Sequence, residues 1–250
     1  MTGLITPGAG TLEAEWAAWD ALRRLPVLNT TACRRAVVVA PHPDDETLAV
    51  GGLIAVLLAQ GGQVVLVAAT DGEASHPDSA AMTPDGLRQL RARETDRALA
   101  VLADGAPGGA VLHRLRLPDS GLADHEDALT TALVPLLGPA DWCIAPFDGD
   151  GHPDHDAGGR AAARACAATG ARLLSYPLWA WNWARPGDPR VPWERALRVP
   201  LPPDALRRKQ DALACYPSQT EPLGPAPEDA AVVPPSDLAY FLRPEEVVFA

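Results

Sequence analysis

The chain has 250 residues, 47% of them hydrophobic, and its 32 acidic and 21 basic side chains give a formal net charge of −11. This hydrophobic content is enough for a sizeable core, and the length suits one large α/β domain or two small ones. The acidic balance argues against a nucleic-acid partner, because phosphate binding needs a surplus of Lys and Arg. The longest apolar run, Leu53 to Ala59, falls far short of the roughly 18 residues that a membrane span needs.

The N-terminus and the cysteines both bear on location. Met1 to Gly10 lacks a basic segment followed by an apolar one, so no signal peptide is expected. Four cysteines are scattered along the chain without any C-x-x-C pair: Cys33, Cys143, Cys166 and Cys215. That usage suits reduced thiols better than a disulfide framework, which predicts a cytoplasmic protein.

Helices and strands are predicted to alternate along most of the chain. An amphipathic helix is expected over 11–25, ahead of the first strand. Strand, helix and strand over 36–40, 47–60 and 63–69 form a βαβ unit. The alternation continues with helices over 87–103, 124–137 and 156–169 and with strands over 111–117, 141–146 and 172–176. This pattern predicts a three-layer α/β/α sandwich, Rossmann-like, with a mostly parallel sheet.

The remainder of the chain is rich in proline and glycine, so a loop-rich C-terminal region is expected over 177–250, forming part of a pocket rim. Within it we predict a strand over 195–199, a helix over 204–215 and a loop over 221–235. We treat 1–250 as a single domain, with 1–34 as an N-terminal helical appendage.

Two loops rich in His and Asp follow predicted strands. The first is Pro41-His42-Pro43-Asp44-Asp45-Glu46, and the second runs from Asp148 to His155. Asp after a strand is also a common helix N-cap, so either loop alone is a weak signal. Both loops fall at the carboxyl ends of strands, where open α/β sheets bind their ligands. Together they predict a site for a divalent metal.

The spacing of these residues indicates a catalytic type of metal site. His42 and Asp45 lie three apart across a turn into a helix, so both can reach one ion. His155 opens the other helix and can complete three protein ligands. Three protein ligands with a position left for water is the pattern of catalytic zinc.

With these two loops the chain resembles the PIG-L/LmbE-like zinc-dependent deacetylases. That family includes N-acetylglucosaminyl-phosphatidylinositol deacetylase and bacterial thiol-biosynthesis deacetylases. The family signature pairs a (P/A)-H-P-D-D-E loop with a later H-P-D-H loop, and both stand intact, at 41–46 and 152–155. Weaker matches are Thr70-Asp71-Gly72-Glu73, Arg91-Ala92-Arg93-Glu94, Leu117 to Gly121, Lys209 and Ser218-Gln219. The resemblance therefore extends over about Ala36 to Gln219.

The resemblance implies a role for each matching residue. His42, Asp45 and His155 would bind zinc. Asp44 would be the general base, and His152 would stabilise the oxyanion or protonate the leaving amine. Asp154 would orient a neighbouring imidazole, while Arg91 and Asp119 would contact the substrate. A helix-surface ion pair and a turn residue are the alternative interpretations of the last two.

The function expected from these residues is hydrolysis of an N-acyl group, most simply N-acetyl on a GlcNAc-type sugar conjugate, by a zinc-activated water. Zinc lowers the pKa of water and polarises the amide carbonyl; iron(II) remains possible. Alternatives are an amidase of another N-acylated small molecule, a non-haem iron oxygenase using His42, Asp44 and His155, and a non-catalytic sugar-binding module. The oxygenase is disfavoured because such triads usually occur on all-β folds. The binding module does not need Asp44 or His152.

Other histidines and the tryptophans are open to simpler interpretations. His76, His113 and His125 lack ligand-like neighbours and are expected at the surface or in turns, although His76 follows Glu73 closely enough to approach the site. Trp179, Trp181 and Trp183 alternate, which suits either a strand face packed on the core or the mouth of a pocket, where flat rings stack on sugars. The exact substrate and the oligomeric state stay open.

Overall fold

A seven-stranded sheet forms the centre of the molecule in the computed structural model, which describes residues 5–250. The strands are β1 Arg35–Ala40, β2 Gln63–Ala68, β3 Gly109–Arg114, β4 Trp142–Pro146, β5 Arg172–Tyr176, β6 Ala196–Pro200 and β7 Glu245–Phe249. Residues 1–4 of the expected N-terminal appendage lie outside the described residues. The α/β class and the mostly parallel sheet are confirmed.

Helices cover both faces of this sheet. They are α1 Glu13–Ala18, α2 Asp20–Arg23, α3 Asp45–Ala59, α4 Pro84–Ala103, α5 Glu126–Leu133, α6 Pro153–Thr169, α7 Ala180–Trp183, α8 Pro203–Leu213, α9 Pro217–Thr220 and α10 Pro235–Leu238. Side chains of β1 alternate between two separate cores, with Val38 on the side of α3 and Val37 on the side of α6. Among the helices of the described chain, none combines the length and apolar character that a bilayer crossing requires.

The order of strands sets the position of the site. The sheet runs β3-β2-β1-β4-β5-β7-β6, and the first five strands are mutually parallel. The chain moves outward in one direction from β1 and in the other from β4, so the crevice between their carboxyl ends is the topological switch point where such folds bind ligands. The two His- and Asp-rich loops leave the sheet at this crevice.

Strand β7 was not predicted. It lies between β5 and β6 and pairs antiparallel with both. Its sequence, Glu-Glu-Val-Val-Phe, begins with two carboxylates, which hide the apolar pattern. One of them, Glu246, is nevertheless buried, at 4% exposure.

That buried carboxylate stabilises a break in α3. The helix loses helical geometry at Val50, where φ is −136° and ψ is 19°. Glu246 accepts N–H bonds from Gly52 (2.7 Å) and Leu53 (2.8 Å), and the Lys209 ammonium lies 2.7 Å from its Oε1. The carboxylate therefore acts as an N-cap for the second half of the helix.

The expectation of a single N-terminal helix over 11–25 is wrong. The segment divides into α1 and α2 at Trp19, whose backbone is extended (φ −82°, ψ 98°). This geometry places the Trp19 ring 4.9 Å from that of Trp193, while Trp16 packs 5.0 Å from Trp181. Aromatic packing has overridden local helix propensity here.

Two further boundaries differ from expectation for local reasons. The third strand ends at Arg114 rather than at 117, because Arg116 adopts a positive φ of 56° that a strand cannot continue through. The helix expected over 124–137 is α-helical only to Leu133 and finishes as a 3-10 turn over Val134–Leu136. Pro135 in that turn has no N–H for an α-helical bond.

Candidate active site

The loop after β1 delivers three polar side chains into the crevice. Asp45 is the first residue of α3, and its Oδ2 accepts the backbone N–H of His42 at 2.8 Å, which closes the turn. Asp44 precedes it with φ of 113°, a region that costs a non-glycine residue about 1–3 kcal/mol. The turn therefore holds Asp44 in a strained backbone conformation beside Asp45.

The loop after β4 delivers the two other histidines. His152 is the N-cap of α6, Pro153 occupies the first helical turn, and His155 follows inside it. Helix α6 approaches the end of β4 closely, since a Cβ built at Gly159 would lie 2.6 Å from the carbonyl oxygen of Pro146. Glycine at this position lets the helix bring His155 to the crevice.

The predicted metal ligands converge. Asp45 Oδ2 lies 3.4 Å from His42 Nδ1 and also 3.4 Å from His155 Nε2. His155 Nε2 is buried and makes no hydrogen bond. An orphaned imidazole nitrogen beside a carboxylate and a second imidazole fits a divalent cation held by two nitrogens and an oxygen. These donor atoms suit zinc and iron(II) alike.

The protonation equilibria of these groups show how much negative charge the cluster concentrates. Burial by itself lowers the pKa of His155, but Asp45 and Asp150 outweigh it and raise that pKa to about 9. Burial alone would raise the pKa of Asp45, and the two imidazoles instead hold it far below its usual range. A dication would neutralise the same surplus that otherwise favours protons.

Asp150 fixes the ring of His155, and sequence reasoning missed this role. Its Oδ2 lies 2.8 Å from His155 Nδ1. Its two oxygens also accept backbone N–H bonds, each at 2.9 Å, from Leu178, Trp179 and Ala180. Because a carboxylate only accepts, Nδ1 carries a proton, so in the neutral ring that binds a metal the Nε2 lone pair faces Asp45. The partners come from a segment after β5, so no local pattern in the sequence could have shown this contact.

We predict that Asp150→Asn lowers the affinity for zinc by about 10- to 100-fold, the usual effect of removing the carboxylate behind a ligating histidine. Competition with a chromophoric chelator measures this affinity. Asp148→Asn is the matched control, since Asp148 is in the same loop and exposed, and it should bind zinc like the wild type. Equal affinity in the two variants would contradict the assigned role.

His42 is oriented by two carboxylates. Its Nε2 lies 3.2 Å from Asp154 Oδ2 and 3.3 Å from Asp119 Oδ1. Backbone N–H groups of Ser120 (2.8 Å) and Leu122 (3.1 Å) hold the Asp154 carboxylate in place. In the neutral ring the proton therefore sits on Nε2, and the Nδ1 lone pair faces Asp45. Asp154 is thus placed as a positioning residue, and the imidazole beside it is that of His42.

His152 is suited to donate a hydrogen bond as a neutral ring. Its Nδ1 accepts the backbone N–H of Asp154 at 3.2 Å, so the proton is on Nε2. Burial and the positive charge of His155 and His42 lower its pKa to about 3. Ring nitrogens of His42, His152 and His155 lie within 4.8 Å of one another. A protonated Nε2 has no lone pair for a metal, which favours the donor role.

Asp44 has the environment of a carboxylate that can accept a proton. Burial raises its pKa well above the usual range, Arg91 opposes the rise, and Asp45 and Glu46 add to it. Its Oδ1 lies 3.5 Å from Arg91 Nη2. Tyr216 donates to Glu46 Oε1 at 2.6 Å and so anchors the loop from behind. A raised pKa brings a carboxylate closer to the value that suits general-base catalysis.

Arg91 and Asp119 both line the cavity but are also engaged by the protein. The Arg91 guanidinium donates to the carbonyl oxygens of Gly72 (2.9 Å) and Pro43 (2.6 Å). Asp119 Oδ2 accepts the N–H of Ala74 at 2.7 Å. The alternative interpretation of Arg91 as part of a helix-surface ion pair is wrong, because the residue is 3% exposed.

A cavity of about 650 Å³ opens above these groups, within the size range of small-molecule sites. The site residues on its floor are His42, Asp44, Asp45, Arg91, Asp119 and His152. Its walls come from three distant parts of the chain, with Leu178, Trp179 and Gln219 between them. These parts are Pro7-Gly8, residues 74–78, and residues 228–234 without Asp229. The wall over 228–234 belongs to the C-terminal region.

His76 and the tryptophans require corrections. His76 is buried and lines the cavity, so the expectation of a surface position is wrong for it, and the expectation that it could approach the site is confirmed. His113 is exposed and His125 half-buried. The tryptophan alternation does not mark a strand, because residues 180–183 form a helical turn. Trp179 lines the cavity, and Trp181 packs in the core.

A model of a known protein family matches the part of the chain that holds both loops of the site. The model of the family described as "PIG-L: GlcNAc-PI de-N-acetylase" matches residues 37–166, more than half of the chain. The chain belongs to the PIG-L family. The match includes both loops of the site, from His42 to His155.

Two relatives within the PIG-L family are named 1D-myo-inositol 2-acetamido-2-deoxy-alpha-D-glucopyranoside deacetylase. The protein of Tsukamurella paurometabola is 34% identical over 179 residues, which cover 59% of this chain and 60% of the relative. That of Nocardia farcinica is 32% identical over 223 residues, covering 76% and 74%. The chain thus spans between three fifths and three quarters of the length of these two relatives.

Solved structures share the fold. N,N'-diacetylchitobiose deacetylase from Pyrococcus horikoshii is 21% identical, with a TM-score of 0.58, over 80% of this chain and 78% of that one. The 4-carboxy-2-hydroxymuconate hydratase GalB from Pseudomonas putida is 18% identical, with a TM-score of 0.56, over 74% and 80%. Because the fold carries two chemistries, the reaction of this PIG-L member has to be argued from its site.

Proposed function

We propose that the protein is a metal-dependent hydrolase that removes the N-acetyl group from a GlcNAc-type sugar conjugate and releases acetate and a free amine. The observation that carries this proposal is the convergence of His42, Asp45 and His155 beneath a cavity that also exposes Asp44 and His152. The names of the two deacetylase relatives support the same reaction.

His42, Asp45 and His155 would hold the metal, zinc in this proposal. A bound dication polarises an amide carbonyl and makes water acidic enough to give up a proton near neutral pH. The protein supplies the orientation, through Asp150 behind His155 and Asp154 behind His42. These carboxylates keep each lone pair directed at the cluster without occupying a ligand position.

The side chains beside the cluster divide the proton transfers. Asp44 takes a proton from the attacking water while the oxygen of that water forms a bond to the carbonyl carbon of the acetyl group. The Nε2–H of His152 then donates to the oxyanion that develops on the carbonyl oxygen. The C–N bond breaks when the amine nitrogen receives the proton that Asp44 carries. The raised pKa of Asp44 suits both halves of this cycle.

The proposed partner is a small N-acylated amino sugar, because the cavity volume is that of a small-molecule site. The open mixed sheet disfavours the oxygenase alternative, whose triads usually occur on all-β folds. The scattered cysteines support the cytoplasm as the place of action.

The test is direct. Protein reconstituted with zinc, and separately with iron(II), is incubated with a panel of N-acetylglucosaminides, and free amine and acetate are measured. We expect equal amounts of both products from at least one glycoside. Oxygen uptake is recorded in the same reactions. If the wild type releases no amine from any compound and is indistinguishable from Asp44→Asn, the proposal fails. Binding without turnover would indicate a sugar-binding module instead.

A further inference from the structure

The outer part of the cavity has a charge pattern that the reaction does not use. Five carboxylates line the cavity: Asp44, Asp45, Asp78, Asp119 and Glu228. Three of them belong to the floor already described. The remaining two, Asp78 and Glu228, are exposed, and no hydrogen bond or ion pair is recorded for either side chain within residues 5–250. We name Asp78 and Glu228 the rim pair.

The loops that carry the rim pair are fastened to one another. Ser79 donates from its hydroxyl to Asp229 Oδ1 at 2.5 Å, and Asp229 is 2% exposed. His76 Nε2 lies 3.1 Å from the carbonyl oxygen of Ala230. Asp78 is therefore the chain neighbour of Ser79, and Glu228 that of Asp229, the two partners of the first, partly buried hydrogen bond. This arrangement keeps the two carboxylates on the same side of the opening.

Positive charge does not balance the rim pair. Arg91 is the single Lys or Arg among the described residues that line the cavity. Its guanidinium is already bound by the carbonyl oxygens of Gly72 and Pro43 and lies beside Asp44 on the floor. The wall next to Glu228, from Ala230 to Pro234, offers apolar side chains. An anionic group at the opening would thus face two carboxylates and find no free Lys or Arg among the described residues that line the cavity.

We propose that the rim pair selects substrates by the charge of the group attached to the amino sugar, accepting cationic and neutral aglycones and rejecting anionic ones such as phosphate or carboxylate conjugates. The inference rests on the proposed function, since it assumes that the acetamido group lies on the floor and the aglycone at the opening. Because both carboxylates are exposed, each contributes about 1.5- to 5-fold, as exposed ion pairs do.

The experiment compares three β-glycosides of N-acetylglucosamine with 2-aminoethyl, 2-hydroxyethyl and carboxymethyl aglycones. Dissociation constants are measured by calorimetry with zinc-loaded Asp44→Asn protein, which holds the ligand without turnover, and kcat/KM is measured with the wild type. We expect affinity to fall from the cationic to the neutral to the anionic glycoside. The cationic-to-anionic ratio should be about tenfold at low salt and smaller at high salt, because salt screens exposed charges.

The rim pair is then neutralised in the same background. Asp78→Asn with Glu228→Gln should bring the cationic-to-anionic ratio close to one. The matched control is Glu221→Gln with Asp124→Asn, which removes the same charge from two exposed residues that do not line the cavity, and it should keep the ratio. Any attraction of an anion to zinc is common to all these proteins and cancels in the comparison.

The outcomes separate this inference from the proposed function. The charge selection is overturned if the cationic-to-anionic ratio of affinities does not change when the rim pair is neutralised. It is also overturned if protein with the unmodified rim binds the carboxymethyl glycoside most tightly. Absence of binding for all three glycosides overturns it as well. If the three glycosides bind in the expected order but the wild type turns none of them over, the charge selection is retained and the deacetylase proposal is refuted. If the wild type turns the glycosides over but all three bind with equal affinity, the deacetylase proposal is retained and the charge selection is refuted.

Discussion

Replacing Asp44 by asparagine is expected to lower kcat on an N-acetylglucosaminide by about 10²- to 10⁴-fold, the usual share of a general base, while the zinc content stays that of the wild type. Asn keeps the shape of the side chain and tolerates positive φ better than most residues. It cannot take a proton at neutral pH. The measurement pairs steady-state kinetics with metal analysis of the same protein sample.

A second variant separates the base from the backbone at this position. Asp44→Gly relieves the strain of a φ of 113°. Its free energy of unfolding should therefore exceed that of Asp44→Asn by about 1–3 kcal/mol. It should be equally inactive. Turnover within tenfold of the wild type in either variant would show that Asp44 is not the base. Lost zinc in both variants would show instead that it helps to hold the metal.

Lys209→Met is expected to destabilise the fold by about 3–5 kcal/mol, because it leaves the buried carboxylate of Glu246 without its counter-charge. Lys209 is 1% exposed, and its ammonium lies 2.7 Å from Glu246 Oε1. Burial lowers the pKa of Lys209 against the opposing effect of Glu246. Urea unfolding followed by circular dichroism measures the change in the free energy of unfolding.

Two further variants complete the test of this buried pair. Arg207→Met, on the same helix, removes an exposed cation that pairs with Asp204 and Asp211, and it should cost less than about 1 kcal/mol. Lys209→Met combined with Glu246→Gln should cost less than the sum of the single changes, because the carboxylate charge is gone. Additive losses would mean that the two groups do not interact as the distance indicates.

The parts of the site that could be predicted are those whose residues lie close together in the sequence. His42 and Asp45 lie three apart, and His152 and His155 also lie three apart, so one turn into a helix positions each pair. The alternation of strands and helices then predicts that both turns fall at one edge of the sheet. Local spacing and topology were sufficient to expect the cluster.

The parts that could not be predicted depend on contacts between distant segments. Asp150 orients His155 only because the backbone at 178–180 folds back onto its carboxylate. The wall over 228–234 is held at the cavity by contacts of Asp229 with Ser79 and of Ala230 with His76. Nothing in the residue types of these segments specifies such partners, since Pro-rich loops carry no periodicity.

The late position of β7 in the chain has a consequence for how the protein is made. Both His- and Asp-rich loops leave the ribosome long before Glu246, yet the break in α3, the helix that begins with Asp45, is capped by that carboxylate. A growing chain therefore carries every proposed metal ligand while the helix break still has unsatisfied N–H groups. The cap on α3 is completed only when β7 enters the gap between β5 and β6.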